Sequence, residues 1–326
     1  MGKNTSKIIL HCVIFFISLL ILVQIINHLY FNKVIEKRQI YRIENDFYLK
    51  LNEPNETSIL IIGDSHAKDD ANTHYINNSF NLAIGDPGGY ILSYWYLRSV
   101  LEKANPRCAL IEIDHSILNK RKYPEQTQID NLWFWSKYAS YKEISEATNN
   151  PLVDTYLKSK ILFMGSGKLI EIYLNPRDLQ VSEIYKGWTG NPANLSNVKN
   201  ISEASQRYYK DLFEGDEKKP SRKGINYLLK ILDLARKNNI SIVLVNYPMS
   251  RDYMEILDKK GFNHAAYLES VFKELDNYTY TVLDYSRIYE NKSEYFADIG
   301  HLNIGGSNIF SSRLKEELQN KTICYS

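Results

Sequence analysis

Apolar and polar positions divide this chain into two regimes. Ile8 to Tyr30 is dominated by Ile, Leu, Val and Phe, and no Asp, Glu, Lys or Arg lies between Lys7 and Lys33. At a rise of 1.5 Å per residue, that run spans a hydrocarbon core of about 30 Å and predicts one transmembrane helix. An uncleaved anchor fits it better than a signal peptide, whose apolar region is shorter and ends in an Ala-x-Ala-like site. His11 lies within the span, while Gln24, Asn27 and His28 lie near its end, where interfacial placement accounts for them. Beyond it, Ile35, Ile40, Ile43 and Phe47 are spaced among charges as in a short amphipathic stalk helix that Pro54 would end. The pattern then alternates. Apolar runs of strand length occur at Ile59–Ile62, Ala109–Ile113, Ile242–Val245 and Tyr280–Leu283, with a weaker one at Phe80–Leu82. Stretches of helical length separate or follow them, at Tyr90–Ala104, Gly224–Asn238, Asp252–Leu275 and Ser307–Gln319. Strands apolar on both faces, joined by helices, predict an α/β domain with a doubly wound parallel sheet.

One stretch breaks the alternation. Residues 116–222 carry Trp133, Phe134, Trp135, Tyr138, Tyr141, Tyr156, Trp188, Tyr208 and Tyr209 but no convincing buried strand. A structureless loop of that length is uncommon, so a largely helical insert is expected. The predicted organisation is a cytoplasmic stub and anchor over 1–32, a stalk over 33–57, and the α/β domain over 58–326 with its insert at 116–222. A small satellite core is the plainer reading of the aromatic residues. The insert leaves the third strand at its carboxyl end, however, and as a cap there it would offer Trp133, Trp135 and Trp188 as platforms for sugar rings in substrate binding.

Composition narrows the partners. Forty Lys and Arg against 38 Asp and Glu leave a net charge of +2, so the basic footprint of a nucleic-acid binder is missing. Three cysteines, Cys12, Cys108 and Cys324, are too few for a disulfide framework and lack zinc-site spacing. Basic residues flank both ends of the apolar helix, so the charge rule barely sets its orientation. Met1-Gly2 with Ser6 fits a myristoylation pattern that sits oddly beside a spanning helix, and the Asn-x-Ser/Thr sequons are those expected by chance in an Asn-rich chain.

Candidate chemistry lies at strand ends. Ile59–Ile62 runs into Gly63-Asp64-Ser65-His66, which puts a serine where open α/β sheets bind ligands. A serine hydroxyl is a weak nucleophile and needs a base held by a third group. Asp298-Ile299-Gly300-His301-Leu302-Asn303, just before the last helix, supplies an Asp and a His three apart.

With the serine after the first strand and the Asp/His pair after the fifth, the chain resembles the SGNH hydrolase superfamily, also called GDSL-like. The resemblance covers roughly residues 58–319 in layout, and its specific residues are Gly63-Asp64-Ser65 and Asp298-x-x-His301-Leu302-Asn303. It implies a flavodoxin-like α/β/α sandwich with Ser65 as nucleophile, His301 as general base and Asp298 as the carboxylate orienting it, and it requires no metal or organic cofactor. It also implies an oxyanion hole containing the Ser65 N–H and a glycine after the second strand, here Gly85 with Gly88 as the alternative. Where such enzymes carry Gly-x-Asn-Asp after the third strand, this chain has Glu112-Ile113-Asp114-His115-Ser116. An ionised Asp114 would repel an oxyanion, which leaves His115 as the candidate third donor.

The single amino-terminal helix, the divergent third block and the closing Asp-x-x-His-Leu-Asn are similar to the branch containing the D-alanyl-lipoteichoic acid biosynthesis protein DltD and the alginate acetylation proteins. That likeness implies a membrane-anchored extracytoplasmic acyltransferase acting on a cell-envelope polymer, with a multispanning membrane acyltransferase as partner. A plain carbohydrate or lipid esterase and a non-catalytic glycan- or partner-binding domain are the alternatives.

Overall fold

The computed structural model describes residues 3–30, 57–83, 89–119, 123, 138–148, 188, 190–193 and 219–324. The chain divides into two compact units, Met1–Arg42 with Gln126–Gln180, and Ile43–Glu125 with Val181–Ser326.

The first unit contains α1 (Lys3–Tyr30) and α2 (Tyr141–Thr148). Within α1, Lys7–Ile26 is long and apolar enough to cross a membrane. Most of its Ile, Leu, Val and Phe side chains are exposed, as they would be on a helix solvated by lipid. His11 bonds through Nδ1 to the Lys7 carbonyl at 2.6 Å, so the helix itself satisfies this polar residue. The expected stalk falls outside the described residues, as does most of the predicted insert.

The second unit is built on five parallel strands, β1 (Ile59–Ile62), β2 (Ser79–Asn81), β3 (Cys108–Glu112), β4 (Ser241–Asn246) and β5 (Thr281–Asp284), in the order β2-β1-β3-β4-β5. All residues of β1, β2 and β3 are buried, which is why β1 and most of β3 read as apolar runs, while β2, Ser79-Phe80-Asn81, carries buried polar residues and gives only a weak signal. Its α-helices among the described residues are α3 (Ser65–Asp70), α4 (Gly89–Leu101), α5 (Arg222–Lys237), α6 (Arg251–Lys259), α7 (His264–Glu274) and α8 (Ile304–Asn320). The β1–β2 connection runs opposite in direction to the others, so right-handed crossovers send its helix to the other face of the sheet. The contacts agree, for α4 packs on α5 while α3 packs on α8.

Two expected boundaries shift for local reasons. The single helix expected over Asp252–Leu275 is two, because Gly261 takes a φ of +66° and Asn263 then caps α7, its side chain accepting the Ala266 N–H at 2.9 Å. The last helix starts earlier than expected, at Ile304, because Asn303 caps it through the Gly306 N–H at 2.9 Å.

The cysteines need correction. Cys108 at the start of β3 and Cys324 beyond α8, with Cα atoms 5.1 Å apart, form a disulfide across 216 residues of chain. Neither spacing nor number signals a pair that only the folded sheet brings together.

Candidate active site

Register decides what meets at the carboxyl edge of the sheet. Ile62 pairs with Ile111 and Glu112 with Val245, so the residues following β1, β3 and β4 emerge side by side. Strand order reverses between β1 and β3, and ligands of open α/β sheets bind in the crevice at that point. Ser65 and Asp114 follow those two strands.

Ser65 opens α3. Asp64 precedes it as the N-cap and accepts the His66 N–H at 3.3 Å. Ser65 is partly exposed, and its Oγ lies 2.9 Å from Nε2 of His301. The other ring nitrogen, Nδ1, lies 2.9 and 3.0 Å from the two carboxylate oxygens of Asp298. A carboxylate only accepts, so Nδ1 carries the proton, which leaves Nε2 to accept from the serine hydroxyl. Burial pushes the Asp298 carboxyl up, but the His301 ring and the backbone N–H groups of Gly300 (2.8 Å) and His301 (2.9 Å) prevail and hold it at about 2. The structure therefore brings Ser65, His301 and Asp298 into one hydrogen-bonded chain.

The segment carrying Asp298 and His301 is fixed at both ends. Phe296 and Leu302 form an antiparallel bridge, and the Ile299 carbonyl accepts the Ser250 hydroxyl at 2.6 Å. The Leu302 N–H donates to Oδ1 of Asp70 at 2.8 Å, tying the base segment to the carboxyl end of the helix that Ser65 begins. Asp70 is wholly buried, and burial raises its carboxyl well above the usual range.

Beneath the serine lies a buried layer that sequence reasoning missed. His66 packs against His301, the rings tilted by 35° with centroids 4.8 Å apart, and its Nδ1 donates to Asp114 Oδ2 at 2.8 Å. Asp114 therefore does not project its charge toward the mouth of the site. Burial raises its carboxyl, but His66 prevails and lowers it, and its second oxygen accepts the Ile117 N–H at 2.9 Å. Glu112 is also wholly buried. One acid closing the apolar run Ala109-Leu110-Ile111 was the available signal. Asp64, His66 and Glu112 bring potential metal-ligand atoms within 4.8 Å of one another. Two backbone N–H groups occupy Glu112 Oε2 and Asp114 occupies His66 Nδ1, so hydrogen bonds within the cluster account for its geometry and we assign it no ion.

Other expected residues fare differently. His115, expected as an oxyanion donor, is 2% exposed, with its ring among Tyr253, Phe262, His264 and Tyr267 and its Nε2 on the Tyr253 hydroxyl. Burial draws it down to about 3, so it is a neutral core histidine and not a donor open to substrate. Trp188 is likewise a packing residue here, 8% exposed, donating Nε1–H to the Asp69 carbonyl at 2.9 Å with its ring edge-on to His74. Gly85, Gly88, Trp133 and Trp135 fall outside the described residues, and with them the expected cap.

Fold and site define a class: an α/β protein with a doubly wound five-stranded parallel sheet, a Ser–His–Asp chain at its carboxyl edge and an apolar amino-terminal helix of membrane-spanning length. The chain belongs to the family described as "Protein of unknown function (DUF1574)", whose model matches residues 7–306. No curated protein matches it.

Proposed function

We propose that this protein is a membrane-anchored serine acyltransferase or esterase of the SGNH type, which moves acetyl- or D-alanyl-type groups on a cell-envelope polysaccharide or teichoic-acid-like polymer. One observation carries the reading: Ser65 Oγ, His301 and Asp298 are joined by hydrogen bonds of 2.9–3.0 Å at the switch point of the sheet. In this mechanism His301 Nε2 takes the hydroxyl proton as Ser65 Oγ attacks the acyl carbonyl carbon. The oxyanion is met by the Ser65 N–H, and the imidazolium, steadied by Asp298, returns its proton to the departing oxygen. An acyl-serine ester remains. A hydroxyl of the acceptor, deprotonated by His301, then attacks that ester, and Ser65 leaves with the proton.

Two further observations support the setting. The helix at Lys7–Ile26 suits a bilayer anchor, and the Cys108–Cys324 bridge suits an oxidising compartment outside the cytoplasm. Asp114, expected to repel an oxyanion, is held instead by the His66 Nδ1–H and the Ile117 N–H, which lessens that repulsion. The full-length protein in detergent, given 4-nitrophenyl acetate with and without a polyol, should form the acetylated polyol, and Ser65→Ala should form none. Acetate as the sole product at all polyol concentrations would identify a plain esterase, and equal turnover by Ser65→Ala would remove the reading.

A further inference from the structure

Glu112 is the one acid in β3, with its side chain wholly buried and its own carbonyl accepting the Tyr90 hydroxyl at 2.5 Å. A carboxyl so placed destabilises a fold unless it meets hydrogen-bond donors. It meets them in the serine turn. Glu112 Oε2 accepts the Asp64 N–H at 2.8 Å and the Ala67 N–H at 3.0 Å, amides on either side of Ser65. The register of β1 against β3 sets Gly63 beside it, and a Cβ on Gly63 would fall 2.4 Å from the same oxygen. Gly63 thus lacks a side chain because Glu112 fills its space. The other amides of the turn have local acceptors, His66 on the Asp64 side chain at 3.3 Å and Lys68 on the Asp64 carbonyl at 2.9 Å. The Ser65 N–H has no acceptor among the described residues.

We infer that Glu112 is a positioning residue for the nucleophile, holding the amides that flank Ser65 from beneath so that Oγ meets His301 and the Ser65 N–H stays available to an oxyanion. The inference rests on the acyl-transfer reading given above. Burial raises the Glu112 carboxyl well above its usual range, Asp64 and Asp114 push it the same way, and His66 opposes them. Glutamine offers a side-chain oxygen at the same place to take both amides.

The test is the kinetics with which a fluorophosphonate labels Ser65 in the full-length protein in detergent, resolved into a saturating rate and a half-saturating concentration. Glu112→Ala should lower the saturating rate about 10²-fold, the order expected when a reacting group is misplaced, with the half-saturating concentration unchanged. Glu112→Gln should restore most of the wild-type rate. Rate and half-saturation moving together with the melting temperature, or Glu112→Gln as slow as Glu112→Ala while still melting like the wild type, would overturn the assignment. If Glu112→Ala does not fold, Glu112→Met, which fills the same space without an acceptor for the two amides, takes its place beside Glu112→Gln. Labelling of wild type at Ser65 with no effect of either variant removes Glu112 and leaves the acyl-transfer reading standing; a wild type that does not label at Ser65 removes both.

Discussion

At the scale of single residues, Asp298 shows how a half-exposed carboxylate sets the state of its neighbour. Its hold on Nδ1 fixes the tautomer that leaves Nε2 facing Ser65, so Asp298→Asn should slow acylation about 10⁴-fold, measured as the rate of fluorophosphonate labelling. The same bonds have a signature in acid. A carboxyl held at about 2, against an ordinary 3.8, stabilises the fold above 3.8, and that contribution is lost as pH falls towards 2. Urea melts of wild type and Asp298→Asn should therefore differ above pH 3.8 and converge below it. Asp70 has the opposite sign: its carboxyl is raised, so it favours the folded state below 3.8 and loses that advantage as pH rises through the raised value. Asp70→Asn keeps an acceptor for the Leu302 N–H and should gain on the wild type as pH rises; a constant gap across pH would show that Asp70 is not neutral in the fold. Ser65, Asp298 and His301 were legible as motifs because they sit in short, chemically unusual strings. His66, Asp70 and Glu112 were not, since their roles depend on neighbours 45 or more residues away, which only register and packing supply.

At the scale of elements, the site is assembled by three helix starts. Asp64 caps α3, Ser250 caps α6 while its hydroxyl also holds the Ile299 carbonyl, and Asn303 caps α8 two residues after His301. The apolar runs of β1, β3 and β4 were readable because burial on both faces of a parallel sheet leaves little room for polar residues, while edge strands β2 and β5 gave shorter or weaker runs. The six-residue α3 carries too little periodicity to be read, and the break between α6 and α7 needed the positive φ of Gly261 to be seen. Gly306 illustrates how tightly α8 seats the base segment. A Cβ there would lie 2.2 Å from the Tyr295 carbonyl oxygen, a backbone atom two residues before Ala297. Gly306→Ala should destabilise by about 1–3 kcal/mol and slow labelling at Ser65, whereas Gly305→Ala, whose Cβ meets only the Asn303 side chain, should stay within about 0.5 kcal/mol. Chemical denaturation of the two variants checks this directly.

At the scale of the whole molecule, the disulfide ties the chain beyond α8 back to the first residue of β3, closing a loop that holds β3, β4 and β5 and leaves β1 and β2 outside it. Constraining so long a loop in the unfolded chain is worth on the order of 4–5 kcal/mol, so Cys324→Ser should lower the melting temperature and raise susceptibility to protease. The pair should also be found oxidised, with maleimide reaching Cys108 only after reduction and unfolding. Protein whose pair is reduced when taken from intact cells would place the unit on the cytoplasmic side and contradict an extracytoplasmic role. The fold class and the membrane-length helix were both legible in the pattern of apolar positions, but this bridge was not, since nothing local joins residues 216 apart. The central claim is that Ser65 carries the acyl group, and mass-spectrometric mapping of a fluorophosphonate adduct on the full-length protein tests it most directly. The adduct should fall on the peptide containing Ser65, at a rate lost in Ser65→Ala and severely reduced in His301→Ala. An unmodified Ser65 peptide in folded protein, or an adduct that persists elsewhere in Ser65→Ala at the wild-type rate, would contradict it.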